Sequence, residues 1–159
     1  MVYFRLFAAV ALASATIAPV AAQVLPPPLL PGQSDIAQRL VAAFRAKDES
    51  AYAALLSDQV EVFEDGKKIA SDKAEWLRRF GPKLSAKGVS FKLAPGYAAT
   101  GRFLFIEYFN STASWGAGPP RHCCWGYDAV AYDIADGKII RIQRLRGGDA
   151  VLDETGKQD

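Results

Sequence analysis

Histidine, cysteine and one-sided charge are all scarce in this chain. Its 159 residues include one histidine, His122, and two cysteines, Cys123 and Cys124. Without a second histidine or a Cys-x-x-Cys spacing, the usual ligand sets for a transition metal cannot be assembled. The His122-Cys123-Cys124 run does not supply one. Neighbouring strand residues point to opposite faces, so they cannot converge on one ion or form a Cys–His nucleophile pair. No phosphate-binding loop and no nucleophile-triad spacing occurs either, and neither a metal nor any other cofactor is expected. Charge is balanced, 19 basic against 17 acidic residues, and one of the basic ones is Arg5 in the leader described next. The basic surplus of a nucleic-acid-binding protein is missing, so no such partner is expected. No segment repeats at a fixed period.

The apolar run after Arg5, LFAAVALASATIAPV, is too short for a membrane span, which takes about 20 residues, and Ser14, Thr16 and Pro19 interrupt it. With a positive start and small residues up to Ala22, residues 1–22 read as a signal peptide. No cysteine follows the cut to carry a lipid, so stable membrane insertion after its removal is not expected. The protein should be exported, periplasmic or secreted, from a bacterium. In an oxidising compartment Cys123 and Cys124 are redox or disulfide candidates with three readings. They could form a strained bond between neighbours, whose Cα atoms lie only about 3.8 Å apart. They could remain two free thiols on opposite faces, or pair between molecules. Residues 23–33 read as a Pro-rich linker, residues 34–147 as one domain, and residues 148–159 as a polar tail that should fray. Half of the residues are hydrophobic and 11% aromatic, enough for one core.

Within the domain the patterning is helical first. Ser34 can cap a helix from Asp35 to about Lys47, with Ile36, Leu40, Val41 and Phe44 on one face. Asp48 caps a short second helix, Glu49 to Leu56. A strand over Val60–Phe63 leads into a turn at Glu64-Asp65-Gly66-Lys67. Asp72 and Glu75 resemble a capping box for a third helix carrying Trp76, Leu77, Phe80 and Leu84, which Gly81-Pro82 should kink or end. Period-two strands follow: one with Val89, Phe91 and Leu93, then Arg102 to Ser111, apolar on both faces and so interior to the sheet. A loop spans Thr112 to Pro120. Two strands joined at Asp136-Gly137 complete the domain. Helices followed by antiparallel strands predict a single-domain α+β fold.

Several stretches, taken in order, resemble the nuclear transport factor 2-like superfamily, with its SnoaL-like cyclases and ketosteroid isomerases. They are Gln38 to Phe44, Asp48, Leu55-Leu56-Ser57-Asp58 leading into Val60-Glu61-Val62, and Tyr127-Asp128-Ala129-Val130 followed by Asp136 to Ile140. The resemblance implies a cone: a curved antiparallel sheet wrapped around three N-terminal helices, an apolar cavity between them, and a possible homodimer through the outer sheet face. It also places candidate catalytic groups. The general base of the isomerases falls on Glu64, with Asp65 one step off, and their oxyanion acid on Asp128. Their catalytic tyrosine falls on Leu40, so that hydrogen-bond donor is missing here.

A pair of carboxyls in an apolar cavity could remove and return a proton next to a carbonyl. The simpler readings are an exposed turn residue for Glu64 and a structural buried acid for Asp128. The aromatics are most simply core, with Trp76, Phe80, Phe105 and Tyr132 as candidates to touch a planar apolar ligand. Arg141, Arg144 and Arg146 read as a solvated strand face or a contact for an anionic partner. The leading functional expectation is a binding module for a small hydrophobic or aromatic molecule, without turnover. The alternatives are a proton-transfer isomerase, cyclase or dehydratase using Glu64 and Asp128, and a dimeric structural or interaction protein.

Overall fold

The computed structural model describes residues 28–113 and 121–151, with side chains over 28–110 and 125–149. The leader, the centre of the 112–120 loop, the cysteine side chains and the end of the tail lie outside the described residues. So do the disulfide readings.

Among the described residues, three helices and six strands form one unit: α1 Gln33–Ala46, α2 Glu49–Leu55, β1 Leu56–Glu64, β2 Lys67–Ala70, α3 Lys73–Ser85, β3 Val89–Ala99, β4 Arg102–Ala113, β5 Arg121–Ala135 and β6 Lys138–Val151. The sheet runs β2-β1-β6-β5-β4-β3. It is mixed, where an antiparallel sheet was expected, because β1 pairs with β6 in parallel, Val62 opposite Ile142. Period-two patterning is the same for both directions, so the sequence carries no sign of this pairing. Nor do all the helices precede the strands, since α3 follows β1 and β2. No described helix is long and apolar enough to cross a membrane.

The local signals explain most element ends. Asp48 Oδ1 accepts from Ala51 N–H at 2.9 Å, and Asp72 Oδ1 from Glu75 N–H at 2.7 Å. These bonds satisfy two of the N–H groups that helix starts leave open. Both acidic-glycine turns have positive φ at the two central residues, Asp65-Gly66 at 48° and 79° and Asp136-Gly137 at 50° and 71°. That is the turn geometry whose twist matches a hairpin. Gly137→Ala should cost about 1–2 kcal/mol, because an L side chain is strained in the left-handed region, read as a lower midpoint in urea unfolding with an unchanged slope.

Three elements depart from the sequence reading. Helix α1 begins one residue before Ser34, after Gly32 in the left-handed region, because Gln33 is drawn into the fold. Helix α3 passes through Pro82 to Ser85, where Leu84 is fully buried; the apolar stripe outweighs the lost bond. Strand β6 does not fray after Gly148 but pairs with β5 as far as Val151. Gly147 is skipped in that register, a bulge, and a Cβ on it would lie 2.2 Å from the Tyr127 ring.

The helices cover one face of the sheet. Leu40, Phe44, Tyr52 and Leu84 meet Val60, Val62, Val130 and Ile142, all buried. Phe44 stands edge-on to Tyr52, with ring centroids 5.4 Å apart. The core fills only one end of the space between helices and sheet. Toward the other end, α3 and the sheet separate.

Candidate functional site

Where α3 and the sheet separate they leave a half-open cavity of about 780 Å³. Strand alternation decides what faces it. On β4 the inward residues are Phe103, Phe105, Glu107 and Phe109; on β5 they include Asp128, Val130 and Tyr132; on β6 they are Ile142, Arg144 and Arg146. Phe103, Phe105, Val130, Tyr132 and Ile142 are core, and the cavity begins where the rows turn polar. Helix α3 supplies the opposite wall. Its four-residue spacing puts Trp76 and Phe80 inward, stacked at 4.9 Å with planes 10° apart, and sets Arg79 and Lys83 along the rim.

The floor is an ion cluster. The register sets Glu107 directly opposite Asp128, and two like charges in that position repel. Arg144 lies between them. Its Nη1 and Nη2 donate to the Glu107 carboxylate at 3.1 and 2.7 Å, and Nη2 also donates to Asp128 Oδ2 at 2.6 Å. The fork-to-fork pair with Glu107 is the strong form of this bond. The Arg144 and Glu107 side chains are 4% and 1% exposed, whereas Asp128 is 24% exposed and meets the open space. Burial works against the charge of Arg144, but Glu107, aided by Asp128, outweighs it and holds the guanidinium firmly protonated.

Below this floor the chain packs solidly. Tyr52 OH accepts from Trp76 Nε1 at 2.7 Å, and burial pushes the phenol's pKa upward. Tyr132 OH is fully buried with no hydrogen-bond partner among the described residues. Burial, helped by the Glu107 charge, raises its pKa as well.

The structure therefore sorts the sequence candidates. Glu64, Asp128, Trp76 and Phe80 all border the cavity. Asp65 borders it too but is occupied: its carboxylate accepts from Arg146 N at 3.1 Å and from Arg146 Nε at 2.6 Å. Tyr132 lies under the floor, and Phe105 borders a separate hollow between α1 and β3. Leu40, at the position of the isomerase tyrosine, is core. Asp128 receives a donor from Arg144, which suits an acceptor or base and lends nothing to the proton-donating role. Among the described residues, no three of His, Cys, Asp and Glu are grouped to hold a metal ion.

Two members of the floor escaped the sequence reading. Glu107 sits within a run that reads as apolar on both faces, and Arg144 reads as part of a solvated strand face or as a contact for an anionic partner. The solvated-face reading is corrected, because Arg144 has the same parity as Ile142 and faces inward with it.

No family model matches this sequence, and no curated protein does. Solved structures do match. A nuclear transport factor 2-like protein of unknown function from Cytophaga hutchinsonii is 9% identical, with a TM-score of 0.54 over 72% of this chain and 88% of its own. A putative polyketide cyclase from Silicibacter is 22% identical, with a TM-score of 0.55 over 73% and 89%. A putative ketosteroid isomerase from Kribbella flavida is 14% identical, with a TM-score of 0.55 over 72% and 76%. Likeness at these identities concerns the fold.

Proposed function

On this nuclear transport factor 2-like α+β fold, we propose that the protein binds a small organic molecule with an apolar or aromatic body. The site is the cavity between α3 and the sheet, and the molecule is held without being converted. One observation carries this reading: a half-open space of about 780 Å³ between the stacked Trp76 and Phe80 on one side and a buried ion cluster on the other. That volume suits a ligand of drug-like size. Trp76 and Phe80, each 4% exposed, form an apolar backing to the space, while Glu64 and the exposed edge of Asp128 offer acceptors to fix orientation. Trp76 and Trp125 both line the space, so occupancy should change the intrinsic fluorescence. Native mass spectrometry of the protein with a panel of aromatic and alicyclic metabolites should detect a one-to-one complex accompanied by that change. A panel that leaves both mass and emission unaltered would count against the reading.

A second reading has its own support, since Glu64 and Asp128 open onto the same space. It is proton transfer next to a carbonyl. Deuterium incorporation into bound ketones in D2O, abolished by both Glu64→Gln and Asp128→Asn, would establish it. The exposed Tyr108, Tyr127 and Leu145 support a third proposal, a homodimer through the outer sheet face, which the solution mass tests. Export after removal of residues 1–22 remains part of the proposed setting.

A further inference from the structure

The charged groups around the cavity do not cancel, and the imbalance has a sign. Of the four cations that border it, three are committed. Arg79 Nη2 is 3.3 Å from Glu75, Arg146 Nε is 2.6 Å from Asp65, and Arg144 is shared by Glu107 and Asp128. Lys83 alone has no carboxylate partner among the described residues. The anions are less well matched. The floor carries two carboxylates for one guanidinium, and no described residue bonds the second oxygen of Asp128. The Glu64 and Asp149 carboxylates also line the space, and neither makes a hydrogen bond or ion pair with a described residue. They act on Arg146 only through its longer-range field.

The walls favour the same sign. Aromatic faces attract cations, and this protein's own cations already use them. Lys83 Nζ lies 4.3 Å from the Phe109 centroid, and the Arg144 guanidinium lies 5.7 Å from that of Phe80. The Trp76–Phe80 stack continues that wall beside the unbalanced carboxylates.

We infer that the cavity selects an organic cation: a protonated amine on an aromatic or alicyclic body, its ammonium among Glu64, Asp128 and Asp149 and its body against Trp76 and Phe80. This rests on the ligand-binding reading above and narrows it to one ligand class. An anionic ligand would find one uncommitted cation, Lys83, against three uncommitted carboxylate sites. A neutral ligand would leave the imbalance uncorrected.

The test uses the full chain and three skeletons, phenylethyl, indolylethyl and naphthylmethyl, each as amine, alcohol and carboxylic acid, titrated by calorimetry at pH 7. Within a skeleton the amine should bind at least about ten-fold more tightly than the alcohol, a step of about 1.4 kcal/mol. The acid should bind more weakly still. Added salt should weaken the amine and leave the alcohol nearly unchanged. Glu64→Gln should reduce amine affinity several-fold and spare the alcohol. Asp128→Asn should do the same where it folds, and Glu64→Gln, at the rim, keeps the test usable where it does not. Alcohols or acids binding as tightly as the amines would overturn the cation assignment and leave the ligand-binding reading standing. Failure of all nine compounds to bind would overturn both.

Discussion

Replacing Arg144 by methionine should lower the stability of the domain by about 3–5 kcal/mol, the cost of removing one partner from a buried ion pair. The reason is specific to this register. Glu107 and Asp128 are paired face to face, and Arg144 is the group that joins them. Without it, a carboxylate that is 1% exposed faces a second one with no cation between them. The opposite deletion should be milder. Glu107→Gln leaves Arg144 with Asp128, one charge of each sign, so its cost should be clearly smaller. A double variant, Glu107→Leu with Arg144→Met, removes both fully buried charges and fills the floor with apolar groups, and should recover much of the loss. Urea unfolding followed by tryptophan fluorescence measures all three. Equal costs for the two single variants would show that charge balance is not what the floor provides, and no recovery in the double variant would show that packing dominates.

The same cluster shows what could be read in the sequence and what could not. Turns and caps were legible because their signals are local: Asp48, Asp72, Asp65-Gly66 and Asp136-Gly137 each act within three residues. The positions of Glu64 and Asp128 on one cavity followed from the resemblance. Glu107 and Arg144 were hidden by a different cause. A charged residue in a strand reads as solvent-facing until its parity is compared with that of its neighbours. Glu107 alternates in phase with Phe103, Phe105 and Phe109, and Arg144 in phase with Ile142. A charge in phase with a core row, on each of two strands and with opposite signs, predicts a buried pair. That rule needs only the sequence, but pairing the two needs the β4-β5-β6 strand order, which alternation does not encode. The parallel β1–β6 contact was unreadable for the same reason. Strands distant in the chain are matched by the shape of the whole layer, and no single residue announces it. The path of α3 through Pro82 is the reverse case. A strong local breaker was overruled by the burial of Phe80 and Leu84 on either side of it.

Gln33 gives the second large effect expected, and it comes from a residue that the sequence placed in a linker. It opens α1 and is fully buried. Its amide is saturated. Nε2 donates to Ala99 O at 2.7 Å and to Arg102 O at 3.2 Å, while Oε1 accepts from Leu30 N and Gly101 N, each at 2.9 Å. A primary amide offers two donors and two lone pairs, and all four are used to pin the chain before α1 to the β3–β4 turn. Nothing in a Pro-rich stretch marks one glutamine for this task, because three of its four partners are backbone groups 66 to 69 residues away. Gln33→Leu keeps most of the volume but strands two carbonyls and two N–H groups, and should cost about 2–4 kcal/mol. Gln33→Ala should cost less, since the space it opens lets water reach the same groups. Gln33→Glu should be at least as harmful as leucine, because a second oxygen would then face the Ala99 and Arg102 carbonyls at the Nε2 position. Amide hydrogen exchange separates this local tie from a general loss of stability. Gly101 N–H, bonded to Gln33 Oε1 in the wild type, should exchange much faster in the alanine variant, while the amides paired between β5 and β6 should change only by the global loss.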